Sequence, residues 1–208
     1  QRDEVQAETL RSRLHADAEM DLARTLQRLG IETLDLWQIH DVRTFPDIRE
    51  LEGPTGALSA FIEARETGVV RHIGVTGHHD PDVLSHAVEN WPVDAVMLPV
   101  NPVEEAPGGF LSSTLAAAKD QGVAVIGMKV LGGGNYLAPD AGVTPETLVR
   151  YALAQEIAVA IVGCSTPAEV RALADAGRCG PLADDEAEAL AGAFRPYARE
   201  LAYYRGHL

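Results

Sequence analysis

At 208 residues, 46% of them hydrophobic, the chain can bury one substantial core, which predicts a single domain over 1–208. A formal net charge of -14, spread along the whole length, argues against a nucleic-acid backbone or an anionic membrane surface as partner. No apolar run approaches the roughly 20 residues of a membrane-spanning helix, and Cys164 and Cys179 form no CxxC pair, so both read as free thiols of a reducing, cytoplasmic compartment.

The first eight residues are too polar for a signal-peptide core, and a start on Gln1 predicts an internal stretch of a longer protein. Leu10, Leu14, Leu22, Leu26 and Leu29 recur at helical spacing between charges, which predicts an amphipathic helix over about 3–28, stopped by Gly30. The apolar run LDLWQIH (34–40) reads as a strand, followed by a polar loop carrying Pro46 and Pro54 and a helix over 57–66 that ends before Gly68. A second strand, VRHIGVTG (70–77), leads to Asp80-Pro81, an N-cap with Pro at the first helical position, and a helix to about Glu89. The third strand, DAVMLPVN (94–101), is followed by a Pro/Gly-rich loop and a helix over 112–121, and the fourth is VAVIGMKVL (123–131). A Gly-rich stretch comes next, then a helix capped by Thr144-Pro145-Glu146 and reaching Ala154, the strand IAVAIVGC (157–164), and helices over 167–176 and 184–204.

Five short strands, each followed by a helix, with polar residues where they stop, describe an α/β chain folded as an incomplete (β/α)8 TIM barrel. About five βα units are visible and the first strands are missing, so two raw sheet edges are expected to need cover from further chain or a partner. The chemistry is expected at the rim where the strands end: His40, Thr76 to His78, Asn101, Lys129 and Ser165.

His40 ends an apolar strand next to Asp41, where an imidazole can donate a hydrogen bond to a carbonyl oxygen or shuttle a proton. Strand parity puts Leu36, Gln38 and His40 on one face, taken as the barrel interior; the plain alternative is a loop histidine without a role. Gly163-Cys164-Ser165-Thr166-Pro167 joins the last strand to a helix, whose first N–H groups could cradle a phosphate or could form an ordinary N-cap. Lys129, one of two lysines, sits among apolar residues before Gly132-Gly133-Gly134 and reads as an anion contact or as a structural ion pair. His78-His79-Asp80 could complete a metal site with His40, although Asp80 serves better as an N-cap, and no metal ligand is assigned.

The segments LQRLGIETLDLWQIHD (26–41), GVVRHIGVTGHH (68–79), the strand ending in Asn101, GVAVIGMKVLGGG (122–134) and AIVGCSTPAEV (160–170) together resemble the aldo-keto reductase family. In order and spacing they are similar to its third helix and fourth to eighth strands, and the KVLGGG form is similar to a prokaryotic branch. The resemblance implies an oxidoreductase that transfers hydride from a nicotinamide cofactor, NADPH with NADH possible, to a small-molecule aldehyde or ketone.

Carried over residue by residue, it makes His40 the active-site histidine. Gly163, Ser165 and Thr166 become the loop for the adenosine phosphate end, with Arg171 as partner for a 2′-phosphate and Glu169 leaning towards NADH. Leu131 and Gly132 match the pyrophosphate loop, while Thr76, Asn101 and Lys129 complete the cofactor-binding set. The family's catalytic Asp, Tyr and Lys belong to its first three strands, ahead of this sequence. Its carboxamide-holding Ser-Asn pair is Thr76-Gly77 here, and its strand-six Gln and stacking aromatic fall at Met97 and Met128. Two other functions stay open: a catalytically inactive barrel kept as a nucleotide-binding or regulatory module, and a metal-dependent hydrolase.

Overall fold

The computed structural model describes residues 13–206. Its five strands are β1 (Leu34–Ile39), β2 (Val70–Thr76), β3 (Ala95–Pro99), β4 (Ala124–Met128) and β5 (Val159–Ala160). They form one sheet in chain order, every neighbouring pair parallel, with Leu36 beside His72, Thr76 beside Met97 and Pro99 beside Met128. Parallel neighbours need crossovers, and every connection supplies at least one helix. Sequential parallel strands with helical crossovers make an arc of barrel wall, the incomplete barrel that the sequence predicts.

The strands form where β-branched residues cluster and are buried because helices cover the sheet. Val70, Ile73, Val75, Val96 and Leu98 are fully buried, and each such side chain contributes about 1.5–3 kcal/mol on leaving water. Trp37 stacks on Phe61 with ring centroids 3.5 Å apart, which fixes the helix side of β1. Gln38 then faces the other way, its side chain lying against Gly74, so Leu36 and Gln38 share the face assigned to them.

The helices are α1 (His15–Leu29), α2 (Phe45–Leu51), α3 (Ala57–Glu66), α4 (Pro81–Asn90), α5 (Leu115–Gln121), α6 (Pro145–Ala154), α7 (Pro167–Cys179), α8 (Asp184–Phe194) and α9 (Ala198–Leu201). Helix α1 ends at Gly30 as the sequence predicts, in the left-handed conformation; the part of that helix expected over 3–12 lies outside the described residues.

Four expectations are corrected. The supposed polar loop after β1 contains α2, because Thr44 and Asp47 close a reciprocal capping box and Pro46 sits in the first turn, where its missing N–H removes no helical bond. The helix expected over 112–121 begins earlier, with a wide turn at Phe110–Thr114, and becomes α-helical only from Leu115. The strand over 157–164 pairs through only two residues. The helix expected over 184–204 is broken by a 3-10 turn at Arg195–Tyr197, where Pro196 has no N–H to continue the ladder. Among the described residues, no helix is long and apolar enough to cross a membrane.

Candidate active site

The rim is built from the residues at the carboxyl end of each strand and the loops beyond them. After β1, His40 is exposed and lines a cavity of about 530 Å³ between α1 and the free edge of β1, together with Arg13, Arg24, Trp37 and Gln38. The Oε1 atom of Gln38 is buried there without a hydrogen-bond partner.

Asp41 turns the chain sharply, with φ +58°, and is buried. Its N–H donates to Thr76 Oγ1 at 2.8 Å, and the next N–H, of Val42, donates to the Thr76 carbonyl at 2.9 Å. Thr76, at the end of β2, therefore holds the residues after His40 in place. Burial alone would raise the Asp41 carboxyl. The Arg43 guanidinium, which donates from Nε at 2.5 Å, outweighs it, with His78 and His40 adding to the pull when they are protonated, and holds the carboxyl below the usual carboxylate range.

His78 faces Asp41 from the loop after β2. Its Nδ1 donates to the Tyr204 carbonyl at 3.0 Å, which leaves Nε2 3.4 Å from Asp41 Oδ1. Burial lowers the His78 pKa, with Lys129 and Arg43 adding to the shift, and so keeps the imidazole neutral against the pull of the Tyr204 carbonyl and Asp41. A neutral ring with its proton on Nδ1 has none at Nε2, which is why Asp41 Oδ1, though buried, accepts no hydrogen bond.

The ends of β3 and β4 are closed from within. Asn101 is fully buried, donates from Nδ2 to the Lys129 carbonyl (3.2 Å) and to the Tyr204 hydroxyl (3.0 Å), and accepts from Val103 N–H (3.1 Å). The Tyr204 hydroxyl donates to Glu104 Oε1 at 2.5 Å, and Arg205 pairs with Glu104 while also donating to the Gly108 carbonyl at 2.6 Å. Burial raises the Glu104 carboxyl, partly offset by Arg205. Burial beside Glu104 also drives the Tyr204 phenol upward, which keeps it a neutral donor. Residues 203–206 thus form a strap over the ends of β2 to β4. Their partners lie about a hundred residues away, and sequence spacing carries no signal for them.

Lys129 is half-buried at φ +58°, with no ion-pair partner for its ammonium among the described residues. Leu131 packs against the core, and Gly132, at φ +54°, lies under the Tyr136 ring, 2.5 Å from where a Cβ would sit. A packed ring is what requires glycine at this position.

After β5, Ser165, Thr166 and Arg171 line one shallow, exposed pocket with Cys164, Pro167 and Val170, and Gly163 precedes it. Thr166 caps α7 by accepting from Glu169 N–H at 3.2 Å, and Glu169 Oε2 accepts from Ser165 N–H at 2.6 Å. The cradle read from the sequence thus holds an anion already, the carboxylate of Glu169. Sequence reasoning named Glu169 for its charge and missed this contact, although the T-x-x-E spacing of a capping box was there to find it.

The structure therefore brings Thr76, Asn101 and Lys129 together in the middle of the rim, and places His40 at one flank and Ser165, Thr166 and Arg171 at the other. The alternative metal set does not assemble: His78 is bound to Tyr204, and Asp80 accepts from Asp82 N–H at 2.9 Å as the N-cap of α4.

Residues 7–140 match the model of the Aldo/keto reductase family. No curated protein matches the chain. Among solved structures, an aldo-keto reductase from Bacillus halodurans in its apo form superposes with a TM-score of 0.67 at 19% identity, over 90% of this chain and 68% of that one. A thermostable aldo-keto reductase in complex with the inhibitor epalrestat gives 0.67 at 22% identity, over 86% and 66%. An aldo/keto reductase from Brucella melitensis gives 0.65 at 18%, over 87% and 69%. The chain spans about two thirds of the length of these structures and shares their fold.

Proposed function

This chain belongs to the aldo/keto reductase family, and from that membership we propose that it is the strand-four-to-eight part of an enzyme reducing a small aldehyde or ketone with NAD(P)H. One observation carries the reading: His40 and the Ser165–Thr166 cradle follow the first and last strands of the same parallel sheet and so stand on one rim. Four strand spacings of about 4.8 Å separate them, roughly 19 Å along a flat sheet and less along a curved one, within reach of one extended dinucleotide.

The donor set suits such a cofactor at its phosphate end. The N–H groups of Ser165 and Thr166 hold a carboxylate now, and a phosphate would use the same donors once Glu169 swings away, with Arg171 beside them. At the other end, the Thr76 hydroxyl accepts from Asp41 and keeps its own hydrogen to donate to a carboxamide oxygen. Asn101 spends its side chain on the strap, so its part is to hold the rim. A nicotinamide cofactor bound here supplies the hydride. The imidazole of His40 orients the substrate by donating a hydrogen bond to its carbonyl oxygen, and the oxygen takes its proton from a tyrosine of the family's first three strands. The two exposed free thiols, Cys164 and Cys179, support a reducing compartment such as the cytoplasm as part of this reading.

A second reading, a barrel that holds nucleotide without turnover, is favoured by the strap that Tyr204 lays over β2 to β4. Titration of the full-length protein with NADPH, followed by nicotinamide fluorescence, tests both. Saturable binding that weakens in Arg171→Ala is expected, and binding of neither NADPH nor NADH overturns both. His40→Ala should then lower carbonyl reduction by about 100-fold or more at unchanged NADPH affinity; absence of any reduction by the wild-type protein leaves only the second reading.

A further inference from the structure

Away from the rim, where α1 meets α3, lies a group of side chains that the reductase reading does not use. His15 opens α1, Glu19 stands one turn further on the same face, and Glu63 reaches across from α3. His15 Nε2 is 3.6 Å from Glu19 Oε1 and 3.7 Å from Glu63 Oε2, and one ligand atom from each residue lies within 4.8 Å of the others. Among the described residues, neither carboxylate has a lysine or arginine partner.

A neighbour outside the group sits on the other ring nitrogen of His15. Ser59 Oγ lies 2.8 Å from His15 Nδ1 and 2.9 Å from the Gly56 carbonyl oxygen, so when its hydroxyl donates to Gly56 it accepts from Nδ1. With the proton on Nδ1, Nε2 turns its lone pair towards the two carboxylates. That arrangement repels itself, and a divalent cation among the three turns the repulsion into attraction.

We propose that His15, Glu19 and Glu63 form a Zn²⁺ site that ties α1 to α3. One imidazole and two carboxylates are a donor set for zinc, and three protein ligands leave a fourth position for water. Ligands at about 2.0–2.1 Å in a tetrahedron lie about 3.3–3.4 Å apart, so the 3.6 and 3.7 Å contacts to His15 need close by only a few tenths of an ångström, and the two exposed carboxylates, within 4.8 Å of each other, must swing together by up to about 1.5 Å. An outer partner on the other ring nitrogen, the role of Ser59, is the usual support of a zinc-bound histidine. The scaffold is firm as well: His15 N–H donates to the Thr55 carbonyl at 2.9 Å and Ala57 N–H to the Arg13 carbonyl at 2.7 Å, joining the starts of both helices.

The test is calorimetry and thermal melting of the full-length protein with ZnCl₂, in a Cys164→Ser/Cys179→Ser background that removes the exposed thiols as competing ligands. One Zn²⁺ per chain and a raised melting temperature are expected. Glu19→Gln and Glu63→Gln, both at exposed positions, and the outer-partner variant Ser59→Ala should each weaken binding by roughly tenfold or more. Zinc binding unchanged by Glu19→Gln and Glu63→Gln, an equal response to MgCl₂, or no binding at all overturns the proposal. The outcome is independent of NADPH binding, so it can fail while the reductase reading stands.

Discussion

The middle of the rim and its two flanks are made of the same kinds of residue, put to opposite uses. Over the ends of β2, β3 and β4, Asn101, Glu104 and Tyr204 are buried and bond to one another, and buried Thr76 accepts from Asp41 N–H. At the ends of β1 and β5, His40, Ser165 and Thr166 are exposed. A polar group in the middle must be satisfied inside the protein or it costs free energy, whereas one at a flank can wait for a ligand. The middle therefore mainly holds the rim's shape, and the flanks are where the proposed catalytic and phosphate contacts lie.

The sharpest way to break this contrast is Glu104→Ala. It strands the Arg205 guanidinium in a buried site and removes the acceptor of the Tyr204 hydroxyl. Leaving one partner of a buried pair alone costs about 3–5 kcal/mol, read as a lower urea midpoint. A loss under about 1 kcal/mol, the size of a surface pair, would show that the middle of the rim is not a clamp.

Asp41→Asn probes the seam between the two regions. Losing the charged hydrogen bonds from Arg43 should cost about 1.5–3 kcal/mol near neutral pH. The pH dependence comes from the lowered carboxyl: its stabilisation is present above the ordinary value of 3.8 and is lost as pH falls through the folded value below that. Urea midpoints measured downward from about pH 5 should show that acid loss in the wild type and a shallower one in the variant.

How much of the molecule is legible in its sequence divides along the same line. The strands, their rim residues and the α4 cap at Asp80-Pro81 can be read because each signal is local: an apolar run, its polar stop, a cap beside its proline. The signal for α2 is local too. Thr44 and Asp47 carry the capping spacing, but two prolines and a polar composition hide it. The strap cannot be read at all, since the Glu104–Arg205 pair joins positions 101 residues apart and each looks like a solvated charge in sequence. Gly132 shows a third case, in which the sequence points to ligand approach while the Tyr136 ring is what requires the glycine.

Gly132→Ala sharpens that last point. A methyl group 2.5 Å from the ring, at a positive φ, must push Tyr136 off its 3.2 Å bond to the Leu201 carbonyl, at a cost on the order of 1–3 kcal/mol. The loss should appear as a lower melting temperature and faster proteolysis near residue 201. An unchanged melting temperature would mean that the tail does not depend on Tyr136.

At the flank, Thr166→Ala and Glu169→Gln separate cap from cradle. Thr166→Ala removes the acceptor for Glu169 N–H and should cost about 1 kcal/mol as a lost N-cap. Glu169→Gln keeps a side chain able to accept from Ser165 N–H but takes away the charge, so its effect on stability should be the smallest of the series. Its effect on ligands runs the other way. A carboxylate on the Ser165 and Thr166 N–H groups competes with any incoming phosphate and repels it, so removing the charge should tighten NADPH binding while Thr166→Ala leaves it the same or weaker. Equal NADPH affinities for wild type and Glu169→Gln would place the phosphate elsewhere and leave Glu169 as a cap alone.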